Sequence, residues 1–123
     1  MGKIEKFVED CGAYYLLTAE GGAPAGRPFG ALVEQEGRLY FSTGSNKAVC
    51  RQLRQEPRVQ ILAHKQGTRR WMRVSGVAKE CKDLPLRRMV FEARPSIAKH
   101  FTGPEDPDCA IFCVNIIQTE FYG

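Results

Sequence analysis

Leu39-Tyr40-Phe41-Ser42-Thr43-Gly44-Ser45-Asn46-Lys47 is the stretch on which the fold turns. An aromatic and aliphatic run with strand propensity stops at a glycine, and an amphipathic segment opens at Lys47. Arg38 to Thr43 reads as a strand. Lys47 to Gln55 reads as a helix with Val49, Cys50 and Leu53 inward, ended by Pro57. Upstream, Lys3 to Cys11 has Ile4, Phe7, Val8 and Cys11 at helical spacing, and Gly12 stops it. Tyr14 to Thr18 is a strand, Glu20-Gly21-Gly22 a turn, and Arg27 to Val33 a second strand with Arg27, Phe29, Ala31 and Val33 on one face. Pro28 cannot donate to a ladder, so that strand starts at an edge or a bulge. Glu36-Gly37 turns the chain into the quoted stretch.

Downstream, Val59 to His64 is a strand and Gln66-Gly67 a turn. Arg70 to Lys79 is a strand that alternates Trp71, Arg73 and Ser75 against Met72, Val74 and Gly76. Asp83 and Pro85 open a helix to about Glu92. Ser96 to Phe101 is a second short helix, Thr102 to Asp108 a loop, and Ala110 to Ile117 the last strand. Six strands, short turns, short helices and no βαβ rhythm predict a mainly β chain, a small antiparallel barrel formed by residues 1–123 as one domain.

Composition narrows the function. Hydrophobic residues make up 43% and charged residues 26% of the 123, as in a globular protein. The net charge of +4 suits an anionic ligand and, without long basic runs, does not call for nucleic acid. The five cysteines have no CxxC spacing, which argues against a zinc ribbon or thioredoxin-type chemistry. Cys109 and Cys113 read as buried free thiols, which suits a reducing compartment and a cytoplasmic location. Met1 to Asp10 lacks the apolar core of a signal peptide, and no apolar run approaches a membrane span. No metal site is read.

Three segments carry candidate chemistry. In Ser42-Thr43-Gly44-Ser45-Asn46-Lys47, a lysine stands at a helix N-terminus, the end that repels cations. A bound anion resolves that conflict, because it pairs with Lys47 and accepts hydrogen bonds from the free N–H groups. The alternative is that Ser45 or Asn46 caps the helix and Lys47 is solvated. Arg27-Pro28-Phe29 offers a guanidinium beside a rigid turn and a flat ring, or else an exposed edge-strand arginine. Trp71 and Arg73 share a face that either walls a planar ligand or packs as a core tryptophan with a snorkelling neighbour. His64 and His100 read as structural or surface residues.

Taken in order, Leu16-Leu17-Thr18-Ala19, Arg27-Pro28-Phe29, Leu39 to Gly44 with Asn46-Lys47, Gln52-Leu53, Pro57 and Trp71 to Gly76 resemble the pyridoxamine 5'-phosphate oxidase-like family, in its short FMN-binding split-barrel members. The resemblance covers residues 1–80 and continues beyond them only in the helix-then-strand layout. It implies a six-stranded antiparallel split barrel that dimerises with two FMN molecules in the dimer clefts. Lys47 and Arg27 would hold the phosphate, with Thr43 and Asn46 hydrogen-bonding near it. Pro28, Phe29 and Ser42 would line the ring and ribityl side, with Gln52 close to the cofactor. Trp71 and Arg73 would come from the neighbouring subunit or pack beside the ring. True pyridoxamine phosphate oxidases have a longer C-terminal region with an Arg and a His for their substrate, and Arg94 and His100 are not in that frame. The expected function is an FMN-dependent oxidoreductase acting on a small molecule other than that substrate.

No catalytic acid or base can be named, and any NAD(P)H would be a transient visitor, since no GxGxxG follows a strand. The rival readings keep the barrel with haem or a deazaflavin, or make it a flavin store or a nucleic-acid-binding module. Lys99 is taken to lie outside the site.

Overall fold

The computed structural model describes residues 2–123. Helix α1 is Lys3–Cys11. Its Ile4, Phe7 and Val8 are buried, and Gly12 ends it in the left-handed region, as the spacing predicted. The hairpin β1 (Tyr14–Glu20) and β2 (Ala23–Phe29) follows, closed by Gly21 and Gly22 with φ of 58° and 82°. Two consecutive positive φ angles make the tight turn that matches strand twist, and glycine adopts them without strain. Then come β3 (Val33–Gln35), β4 (Arg38–Gly44), α2 (Ala48–Gln55), β5 (Arg58–His64), β6 (Trp71–Glu80), α3 (Leu84–Ala93), a 3-10 segment (Pro95–Lys99) and β7 (Cys109–Tyr122).

The strands form one sheet of seven, in the order β2-β1-β5-β6-β7-β4-β3, with every pair antiparallel. The sequence reading gave six. It ran Arg27 to Val33 as one strand, whereas the chain leaves β2 at Phe29 and enters β3 at Val33. That break sets the architecture. β2 and β3 are opposite edges of the sheet yet only Gly30-Ala31-Leu32 joins them, so the sheet curls until its edges approach without pairing: a split barrel. The carbonyls left open in the split are met by side chains. Tyr14 Oη donates to Ala31 O at 2.8 Å, and Arg94 Nε donates to Leu32 O at 3.1 Å. Burial pushes the Tyr14 phenol up, so it stays a protonated donor.

The last strand also exceeds its reading, running past Ile117 to Tyr122. Its second half is mostly exposed and lacks the apolar signal, but it continues the ladder with β6. A bulge shifts the register between Ser75 and Gly76: Gln118 faces Ser75, Ile116 faces Gly76, and Ile117 is the extra residue.

Two cores result. Leu16, Phe41, Ile61, Met72, Val74 and Phe112 fill the barrel. Tyr40, Val90, Phe91, Ile97 and Ile111 pack α3 and the 3-10 segment on the outside of β4 and β7. All five cysteines are free. Cys109 is buried, its thiol pushed up to about 11, whereas Cys113 is only half-buried. Arg87 secures the loop after the 3-10 segment by donating to the carbonyls of Pro104, Asp106 and Cys109. No helix among the described residues is long and apolar enough to cross a membrane.

Candidate functional site

The unpaired edges leave a cleft of about 1090 Å³ beside the split. Its apolar wall is Pro28, Phe29 and Leu32, with Val8 from α1. Phe29 is held by edge-on contacts to Tyr14 and Phe41, with centroids 5.9 Å and 5.5 Å away, so it is a rigid platform. The N–H groups of Gly30, Ala31 and Leu32 have no partner among the described residues, since the two edges do not pair here.

The polar end is the turn from β4 to α2. Ser42, Thr43, Asn46 and Lys47 all line the cleft there. The helix opens at Ala48, one residue later than the sequence reading, and neither Ser45 nor Asn46 caps it. Lys47 occupies the N-cap position in an extended conformation with no side-chain cap. Ser45 N donates to Asp108 O and Lys47 N to Gly44 O. The N–H groups of Asn46, Ala48 and Val49 find no acceptor among the described residues. Lys47 likewise has no carboxylate partner among them. A glycine leaves room for this arrangement. A Cβ on Gly44 would lie 3.2 Å from Asn46 Oδ1 and 3.3 Å from Lys47 Cγ, so both side chains fold back over it. Uncapped N–H groups and one free ammonium, drawn close over Gly44, form a donor set that fits a phosphate monoester. Asp108 and Glu9 also line the cleft and are the opposing charges.

Six of the ten residues nominated from sequence thus line one cleft: Pro28, Phe29, Ser42, Thr43, Asn46 and Lys47. The other four stand elsewhere. Arg27 and Gln52 are bonded to each other beneath α2: Arg27 Nη2 donates to Gln52 Oε1 at 2.6 Å, and Arg27 Nη1 to Thr18 Oγ1 at 2.8 Å. Gln52 is buried, and its amide also donates to Glu20 at 2.9 Å. Burial pushes the Arg27 guanidinium pKa down, with Glu20 partly opposing it. Trp71 and Arg73 lie on the outer face of the sheet. Trp71 stacks on Tyr122 at 4.4 Å, and Arg73 forms a forked pair with Glu120 at 2.9 and 3.1 Å. That pair lowers the pKa of Glu120 and raises that of Arg73.

The residue pattern of the pyridoxamine 5'-phosphate oxidase family model matches residues 1–123. The chain belongs to this family. Solved structures share the fold. A NimC/NimA family protein from Clostridium acetobutylicum matches with a TM-score of 0.82 at 28% identity, over 95% of this chain and 87% of that one. General Stress Protein 26 from Bacillus anthracis gives 0.80 at 18%, over 97% and 90%. An FAD-binding protein from Mesorhizobium loti gives 0.69 at 22%, over 98% and 94%. No curated protein matches the chain.

Within this family member, the sequence reading missed the wall contributed by α3 and the 3-10 segment. Arg94, Lys99, His100 and Phe101 line the cleft there. Lys99, placed outside the site from sequence, is therefore on its rim. No local pattern announces these residues. They reach the cleft because α3 packs back over β4 and β7, and because Arg94 is tied to α1 through Glu5 at 2.8 Å.

Proposed function

We propose that this chain is an FMN-binding flavoprotein, an oxidoreductase that acts on a small molecule as a homodimer. The observation that carries the reading is the turn at Gly44–Ala48. The N–H groups of Asn46 and Ala48 and the Lys47 ammonium have no acceptor among the described residues, and the turn opens on a flat aromatic wall. One free ammonium at one helix N-terminus suits the single terminal phosphate of a mononucleotide. Family membership and the FAD-binding neighbour of the same fold support a flavin in the cleft.

Bound flavin supplies the hydride chemistry, and the protein supplies position and charge. Lys47 and the N–H groups at the start of α2 hold the phosphate. Phe29 and Pro28 orient the ring and keep water from one face. The open N–H groups of Gly30 to Leu32 offer hydrogen bonds to acceptors on the ring edge.

The dimer reading rests on the outer face. Register sets Tyr15, Leu62, Arg73 and Glu120 in one row across four strands, with His64, Trp71 and Tyr122 in the next. Tyr15 is 54% exposed, Tyr122 44% and Ile117 72%, large hydrophobic side chains that docking of a second copy would cover. Trp71 and Arg73 reach a flavin only from a second copy docked on this face.

Protein mixed with FMN and desalted is expected to keep the two-banded flavin spectrum and to run as a dimer. NADH or NADPH should bleach the flavin, and an acceptor should restore it. Tyr15→Asp with Ile117→Asp should give a folded monomer that loses the cofactor. A Soret band would replace flavin with haem, and a single deazaflavin band would change the cofactor. Colourless protein would refute the reading.

A further inference from the structure

We infer that Tyr14 is a positioning residue for the ring of the bound flavin: its hydroxyl holds the Ala31 carbonyl and so turns the Leu32 N–H into the cleft, toward a carbonyl oxygen on the ring edge. The inference rests on the flavoprotein reading and adds to it a residue that does not itself line the cleft.

Tyr14 is fully buried and forms the last pair of the β1–β2 ladder, opposite Phe29, where the sheet splits. It touches both groups that face the ring. Its own ring packs edge-on to Phe29 at 5.9 Å, and its Oη donates to Ala31 O at 2.8 Å. Burial pushes the phenol up, so the proton stays on that oxygen.

All peptide bonds among the described residues are trans. In a planar trans peptide, the C=O and the N–H that follows it point in opposite directions. Ala31 O faces Tyr14, away from the cleft, so the Leu32 N–H faces the other way. That N–H has no partner among the described residues, and Leu32, at 1% exposed, is barely reached by water. Its open side is the cleft it lines. The next carbonyl is fixed as well: Arg94 Nε donates to Leu32 O at 3.1 Å, and Glu5 holds Arg94 at 2.8 Å. Clamped at two successive carbonyls, the peptide cannot rotate to find another acceptor. A buried backbone donor is costly to leave unpaired, and a ligand in the cleft supplies its acceptor. A ring carbonyl accepts in both redox states, whereas a ring nitrogen that takes up hydrogen becomes a donor. A donor fixed by the fold therefore suits the oxygen.

Tyr14→Phe removes one hydroxyl and keeps the packing on Phe29. Spectroscopic titration of FMN-loaded protein with a reductant gives the midpoint potential. Reduction adds charge to the ring and strengthens a hydrogen bond to its oxygen. Loss of alignment is therefore expected to cut the preference for reduced over oxidised FMN about tenfold, a fall of about 30 mV for a two-electron couple. Nuclear magnetic resonance should show the Leu32 amide proton moving downfield when FMN is added to the parent, and moving less in Tyr14→Phe. Val74→Ala, a buried barrel substitution outside the cleft, shows what lost stability does by itself: it should melt earlier and keep the parent potential. An unchanged or raised potential in Tyr14→Phe, or a Leu32 amide indifferent to FMN, would overturn the inference. Absence of FMN uptake by the parent sinks the flavoprotein reading and this one together, whereas uptake with either of those results sinks this one only.

Discussion

Gly76→Ala is expected to melt about 10 °C below the parent protein. The bulge brings β6 onto β7 at this point, and a Cβ there would stand 2.5 Å from Asn115 O and 2.6 Å from Val114 Cγ1. The first contact is with backbone in the middle of a paired strand, so no rotamer relieves it. Overpacking typically costs about 1–3 kcal/mol, and a collision with fixed backbone belongs at the upper end. A domain of this size has only about 5–15 kcal/mol in total. Gly103→Ala is the comparison, because a Cβ there meets nothing within 4 Å and should leave the melting temperature unchanged. Thermal unfolding followed by circular dichroism gives the answer. Equal melting of Gly76→Ala and the parent would mean that the bulge is not formed as described.

Lys47→Ala is expected to weaken FMN binding by roughly ten- to a hundredfold, the size of one lost charge-assisted contact of about 1.5–3 kcal/mol. Lys47 is exposed and bonds to no other side chain among the described residues, so its loss should leave thermal stability near the parent value. Gly44→Ala should act in the same direction by a different route. Its Cβ meets two side chains rather than backbone, so Asn46 and Lys47 are displaced by a few tenths of an ångström and the protein still folds. Lys82→Ala, outside the cleft, is the control. Flavin fluorescence quenching measures the affinities. If both variants bind FMN like the parent, the phosphate does not sit at the β4–α2 turn.

The cleft also shows how far local patterns reach. The β4–α2 turn was legible because its signals are sequential: a strand, a glycine, a lysine where a helix repels it. What remained open was whether Ser45 or Asn46 capped the helix. That depends on side-chain direction, and the structure leaves the cap position to Lys47. Arg27 was nominated for its charge beside Pro28, and nothing local shows that Thr18 and Gln52 occupy its guanidinium. Those partners come from β1 and α2 and meet it only when the barrel closes.

Alternation along the strands and helical spacing at Ile4, Phe7 and Val8 were enough to specify a mainly β chain with short helices, because each pattern reports which face of a local element is buried. The tertiary structure alone decided that β2 breaks at Gly30, that its two ends become opposite edges of one curled sheet, and that Arg94 and Lys99 stand over the gap. Those facts are long-range. Side-chain chemistry within a few residues sets local conformation, whereas sheet closure and the folding back of α3 depend on contacts between segments tens of residues apart.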